Sequence, residues 1–226
     1  MPPVQAITFD VGGTLIQPWP SVGHIYAEVA ARHGLKRDSA ETLNQRFGAA
    51  WKQLKDFKHT REEWAALVAE TFAVDARTLE TFFPELYDRF AQPTAWRLFD
   101  DVLPTLNNLA AHGINLAVIS NWDERLRPLL ETFGLRKYFE TVIVSCETGF
   151  TKPSPVMFEL AARKLGLAPE FILHVGDSLE HDEYGAKSAS FQSRLIDRKL
   201  TNPTPGWIQS LAELEKIASS TQAGAW

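Results

Sequence analysis

The chain has 226 residues, 45% hydrophobic and 23% charged, a balance that suits a soluble globular protein with enough apolar surface for a sizeable core. A net charge of −5 with a pI near 5.7 leaves no cationic footprint, so neither nucleic acid nor an anionic membrane is an expected partner. The lone cysteine, Cys146, excludes an internal disulfide and reads as a buried structural thiol in a reduced, cytoplasmic setting.

Residues 1–5 lack the basic and apolar regions of a signal peptide, and no apolar run reaches the ~20 residues of a spanning helix. Residues 4–9 form a short apolar run that ends at Asp10 and the pair Gly12 and Gly13, a buried strand followed by a tight turn. Residues 17–96 then hold four helical patterns and no clear strand. Val22, Ile25, Tyr26 and Val29 share one face, and Leu43, Phe47, Ala50, Trp51 and Leu54 share another. Thr60 and Glu63 make a capping box for the third pattern, and Asp75 caps the fourth.

Beyond residue 96 strands and helices alternate. Residues 114–119, 141–144 and 171–175 read as buried strands, with 192–196 a weaker fifth. Helical patterns fill 100–111, the stretch from Leu126 to Phe133, and a segment opening with Ser154 as N-cap and Pro155 at the first position. The alternation implies an α/β fold with a doubly wound parallel sheet. Its core would be residues 1–16 and 97–226, and residues 17–96 an inserted all-helical cap over the end of the first strand.

In such sheets, sites gather at the carboxyl ends of the strands. Four of those ends carry polar groups a plain core does not require: Asp10, then Ser120 and Asn121, then Lys152 before Pro153, then Asp177 with Asp182 five residues on. A carboxylate can act as a covalent nucleophile. A hydroxyl, an amide and an ammonium can hold the oxygens of an anion. Further carboxylates can hold Mg²⁺. The lysine would also offset repulsion among three carboxylates and keep Asp10 ionised.

These motifs resemble the haloacid dehalogenase superfamily. The run from Asp10 to Leu15 resembles its first motif, Ser120-Asn121 the second, Lys152-Pro153 the third, and Gly176 through Asp182 the fourth, with Gly185-Ala186 following as is common there. The resemblance covers residues 4–16 and about 97–196. It implies a Rossmann-like core with a helical cap and, most often, Mg²⁺-dependent hydrolysis of a small phosphorylated substrate. It further implies Asp10 as the nucleophile that becomes a phosphoaspartate, and Ser120 and Lys152 as phosphoryl-binding catalytic groups. Thr14 and Asn121 would lie against the phosphate. Asp10, Asp177, Asp182 and the carbonyl of Gly12 would form the metal site.

One departure stands out. Phosphatases of this superfamily carry a second aspartate, the acid/base, where this chain has Gly12. Its loss costs roughly 10²–10⁴-fold if nothing replaces it. Other readings therefore stay open: a 2-haloacid dehalogenase, a phosphonate hydrolase using Lys52, Lys55 or Lys58, or a weakly active ligand-binding homologue. His24 is a candidate replacement acid, although an exposed helix histidine is the simpler reading. Lys52, Lys55, Lys58 and Arg61 read as a solvated helix face more than an anion-binding stripe. Glu180 and His181 are equally metal-supporting or surface residues, and Trp19 either lines the pocket or packs.

Overall fold

The computed structural model describes residues 2–35, 38–202 and 204–216. Positions 1, 36, 37, 203 and 217–226, which belong to the ranges assigned above to core and cap, lie outside the described residues. Strand β1 (Ala6–Phe9) leads into β2 (Ile16–Pro18), then helices α1 (Val22–Arg32), α2 (Ala40–Trp51), α3 (Arg61–Phe72) and α4 (Ala76–Arg89). β3 (Trp96–Leu98), α5 (Val102–Ala111), β4 (Asn115–Ser120), α6 (Leu126–Thr132), β5 (Thr141–Val144) and the short α7 (Ser145–Thr148) follow. The chain then runs through α8 (Pro155–Leu165), β6 (Ile172–Gly176), a π-helical turn (Leu179–Tyr184), α9 (Gly185–Ser188), β7 (Gln192–Ile196) and β8 (Trp207–Ile208).

Six strands pair in parallel in the order β5-β4-β1-β6-β7-β8. β1 lies at the centre, and all four of its side chains are buried, as a strand covered on both faces requires. Because successive strand side chains alternate between faces, Ile7 and Phe9 pack with Leu106 and Leu109 of α5 and Leu126 and Leu130 of α6. Ala6 faces the other side, with Met157, Phe158 and Ala161 of α8. Helices on both faces make this the doubly wound α/β architecture expected from the sequence.

The helices α1–α4 bury a core of their own, with Tyr26, Val29, Leu43, Val68, Phe82 and Leu86 among its members. Their local signals appear in the structure. Thr60 and Glu63 close the capping box of α3, and Asp75 accepts from the Thr78 N–H at 2.8 Å. α2 stops at Trp51, although the apolar spacing continues to Leu54. Residues 52–60 instead leave the helix as an irregular turn with left-handed backbone at Asp56 and His59. The cationic residues 52–61 therefore do not share one helix face, and Arg61 stacks over the rings of Tyr87 and Phe83.

Two expectations are corrected. Residues 17–96 are not free of strand: β2 and β3 pair antiparallel, Ile16 opposite Leu98 and Pro18 opposite Trp96, and this ribbon carries the chain into and out of the helices. Strands three residues long, one of them containing proline, leave no alternation to read. Cys146 is exposed, not buried. It falls just past β5, on the first turn of α7, where the chain has left the sheet. No described helix is long and apolar enough to cross a membrane.

Candidate active site

Parallel neighbours place their carboxyl ends side by side, so the ends of β1, β4 and β6 and the loop before α8 meet above the sheet. Asp10 follows β1 and is 8% exposed. Its Oδ1 accepts from Ser120 Oγ at 3.0 Å and from Lys152 Nζ at 2.7 Å. Lys152 is buried as well, and its ammonium also donates to Asp182 Oδ1 at 2.5 Å. Asp182 reaches back from the π-helical turn, where its Oδ2 accepts from the Ser178 N–H at 2.9 Å. Carboxylate oxygens of Asp10, Asp177 and Asp182 lie within 4.8 Å of one another.

Two glycines make this approach possible. Gly13 has φ +76°, and a Cβ there would sit 2.1 Å from Asp177 Oδ2. A Cβ on Gly176 would sit 2.1 Å from Asp182 Cγ. Any side chain at either position would push an acid out of the cluster.

The electrostatics follow from burying three acids with one lysine. Burial alone would lower the Lys152 ammonium, but Asp10 and Asp182 outweigh it and push its pKa up to about 12. Burial alone would raise Asp182, but the Lys152 charge and the bond from His174 hold it far below the carboxylate range. Asp10 is raised, by burial first and then by the Asp182 charge, against the pull of Lys152. Lys152 pulls Asp10 toward its ionised form, as expected, but it is shared with Asp182 and does not fully offset burial. Asp177 opens onto the cavity, yet the surrounding protein and repulsion from Asp10 and Asp182 push it up to about 7. An excess of carboxylate over cation in an all-oxygen donor set fits a hard divalent ion such as Mg²⁺.

Several expected residues have other placements. Asn121 lines the cavity, but both ends of its amide are taken: Nδ2 donates to the Lys152 carbonyl at 3.0 Å, and Oδ1 accepts from the Lys152 N–H at 2.7 Å. It holds the lysine loop in place. Thr14 is corrected as a phosphate contact. It is fully buried beneath the turn, its hydroxyl has no hydrogen-bond partner, and the cavity lining passes from Gly13 to Pro18 without it. His24 is exposed, bonds Ser21, and is not part of the lining; nor is Trp19, which lies under Arg97. Lys52, Lys55, Glu180 and His181 do line the cavity, whereas Lys58 does not.

Other residues of this site belong to no motif in the sequence. His174, fully buried on β6, takes a hydrogen bond from Thr8 Oγ1 at Nδ1 (2.8 Å) and donates from Nε2 to Asp182 Oδ1 (3.0 Å). Burial lowers its pKa against the pull of Asp182, so it stays neutral and fixes the direction of that carboxylate. A histidine inside an otherwise apolar strand was the available signal. The loop after β4 was also unreadable. There Asp123 accepts from the Trp64 indole N–H at 2.9 Å and pairs with Arg125, whose guanidinium lies 3.7 Å from the Tyr87 ring centroid. The Tyr87 hydroxyl donates to Glu124 at 2.8 Å. These contacts close α3 and α4 over the strand ends. The result is a cavity of about 1000 Å³ with the acids at its floor and aromatic side chains on its walls.

Comparisons with known proteins agree with this geometry. A family model described as haloacid dehalogenase-like hydrolase matches residues 4–190. The chain is similar to haloacid dehalogenase-like hydrolase domain-containing protein 3 of Bos taurus, 33% identical over 206 residues, covering 85% of this chain and 82% of the relative. A phosphoglycolate phosphatase of Thiobacillus denitrificans is 29% identical over 188 residues, covering 83% of this chain and 80% of its own. The crystal structure of a HAD phosphatase from Thermococcus onnurineus superposes with a TM-score of 0.69 at 27% identity, covering 95% and 97% of the two chains. With the acids, the lysine and the serine converging as described, and a family model spanning most of its length, the chain belongs to the haloacid dehalogenase-like hydrolases.

Proposed function

We propose that this hydrolase is a Mg²⁺-dependent phosphatase that works through a phosphoaspartate on Asp10. The observation that carries the reading is the meeting of Asp10 with two anion-binding donors, Ser120 and Lys152, and a separate pair of acids, Asp177 and Asp182. A carbon–halogen hydrolase needs the nucleophile but has no use for the extra acids. Asp10, Asp177 and Asp182, with the Gly12 carbonyl, would hold Mg²⁺, which supplies charge to keep these carboxylates ionised and to draw charge from the phosphoryl oxygens.

The roles of the chain's own groups follow from their positions. Asp10 attacks phosphorus in line, and the P–O bond to the leaving group breaks with its electron pair. Ser120 and Lys152, which already donate to Asp10, stay within reach of the phosphoryl oxygens as it transfers. Asn121 keeps the Lys152 backbone in register, and His174 keeps Asp182 aimed at the cluster. Water then cleaves the acyl phosphate and returns Asp10.

The test is a panel of phosphate monoesters and 2-haloacids, assayed with Mg²⁺ and with EDTA, alongside trapping of phosphate on the protein. Phosphate release that EDTA abolishes, and that Asp10→Asn eliminates together with trapped phosphate, is expected. Chelator-insensitive release of halide, with no phosphatase activity, would overturn the reading.

A further inference from the structure

The cavity wall above the acids is unlike its floor. Gly12 has room for a side chain, and apart from its chain neighbours a Cβ there would meet only one group within 4 Å: the Trp122 indole, 3.3 Å away at Cζ3 and 4.0 Å at Cη2. An aromatic face therefore begins beside the nucleophile loop. The same cavity is also lined by rings of residues 51–64, where Trp51 stacks on Trp64 (centroids 5.8 Å apart, 19° between planes) and Phe57 meets Trp64 edge-on at 4.9 Å.

His59 sits among these rings, edge-on to Phe57 at 4.8 Å and to Trp64 at 5.7 Å. It is 8% exposed, lines the cavity, and its Nδ1 has no hydrogen-bond partner. Its backbone is left-handed, φ +64°. An unpaired buried polar atom in an apolar wall costs about 1–3 kcal/mol unless a ligand satisfies it. Burial pushes the imidazole down to about 4, against the pull of Asp123, Glu63 and the Phe57 backbone, so it stands in the wall as a neutral group.

Resting on the phosphatase reading above, we propose that the substrate is an aryl phosphate whose ring lies against the tryptophans of this wall, with a hydroxyl or other hydrogen-bonding substituent toward the His59 imidazole. Two independent features meet in this class. A flat ring suits aromatic walls, where each favourable ring pair adds about 0.5–1.5 kcal/mol beyond its area burial. A phenolate also leaves without prior protonation, since phenols ionise near pH 10, and a wall of indole beside Gly12 supplies no proton. The reaction balances: Asp10 displaces the aryloxide, water hydrolyses the phosphoaspartate, and the products are a phenol and inorganic phosphate.

Calorimetric binding to the full chain in Mg²⁺ tests this without turnover. The probes are phenylphosphonate, n-hexylphosphonate, 3- and 4-hydroxyphenylphosphonate, and inorganic phosphate. Phenylphosphonate is expected to bind roughly tenfold tighter than the hexyl compound of equal carbon number. Trp51→Ala, at a residue 39% exposed, should cut that ratio about fivefold and leave inorganic phosphate affinity unchanged, while Trp51→Phe keeps most of it. One hydroxyl isomer should gain about a further fivefold, which His59→Asn removes, asparagine being tolerant of the left-handed backbone. Equal phenyl and hexyl affinities, or a ratio indifferent to Trp51→Ala, overturns the aromatic subsite. A hydroxyl preference indifferent to His59→Asn overturns the role of His59. If the binding preferences hold but no phosphate is released or trapped on Asp10, the phosphatase reading fails and the subsite stands. Phosphate release with flat binding preferences overturns the subsite and leaves the phosphatase reading in place.

Discussion

Gly12→Asp is the sharpest perturbation this site offers. It places a carboxylate beside Asp10, at the position where the resemblance read from the sequence implies an acid/base. Gly12 does not use left-handed backbone, so aspartate meets no conformational penalty there. The one close neighbour is Trp122, at 3.3 Å from the added Cβ, and its ring must yield by a few tenths of an ångström. Trp122 is half-buried, and its main chain is held by Ser145, whose Oγ accepts from the Trp122 N–H at 3.0 Å and donates to its carbonyl at 2.9 Å. The ring must therefore tilt in place, at a cost of about 1 kcal/mol, the low end for overpacking. Against this, a positioned acid/base is worth at least ~10²-fold, about 2.7 kcal/mol of barrier. Chemistry therefore outweighs crowding. Steady-state hydrolysis of alkyl phosphates and of 4-nitrophenyl phosphate should both rise, by about 10²-fold, whereas the rate of nitrophenol release in the first turnover should change little, since that leaving group departs unaided. The parent should show a rapid burst of nitrophenol followed by slow release of phosphate, and the variant should lose the burst as hydrolysis of the phosphoaspartate speeds up. Stopped-flow and steady-state assays read both, and the Mg²⁺-induced rise in Tm serves as the check on the loop. If that rise is intact in the variant, yet the parent shows no burst and the variant no gain, the idea that Gly12 limits the reaction is wrong.

Lys152→Met should abolish turnover and leave Asp10 and Asp182 buried without their cation, costing about 3–5 kcal/mol in urea unfolding without metal, and Mg²⁺ should recover more stability in this variant than in the parent; unchanged unfolding would refute the charge accounting. Asn121→Ala removes the two bonds that hold the Lys152 backbone, at 2.7 and 3.0 Å. It should lower kcat about 10-fold through a misplaced lysine with little change in global stability, as comparison of kinetics with thermal melts will show. Asp101 adds a pH dependence: burial would raise its carboxyl, but Arg198, Ser210 and the Leu211 N–H outweigh it and hold the pKa below normal. The stability it contributes is therefore present above pH ~4, the unfolded carboxyl range, and is lost as pH falls through the lower folded value. Asp101→Asn should cost roughly 1–2 kcal/mol at pH 6 and much less near pH 3, a convergence that urea titrations at the two pH values will test.

What the chain encodes locally is legible in its sequence. The order of strand, helical insert and alternating strands and helices follows from apolar spacing and caps such as Thr60 with Glu63, because side-chain periodicity and capping act within a few residues of sequence. The polar residues at strand ends are equally visible, since an acid, a serine or a lysine closing a buried run has no part in the core, and a parallel sheet brings such ends together. The β2–β3 ribbon is not legible: each strand is three residues long, and only pairing across the whole helical insert makes it a strand. Nor is the exposure of Cys146, set by where β5 ends, or the withdrawal of Thr14 beneath its own turn. Trp122 and His59 illustrate the same limit. Neither falls on an apolar period or a motif that would mark it in the sequence. Tertiary packing alone placed the indole beside Gly12 and set His59, on left-handed backbone, among the rings of the cavity wall. The reacting groups are fixed by local sequence at strand ends, whereas the walls that select a ligand come from segments far apart in the chain, whose approach depends on the packing of the whole molecule.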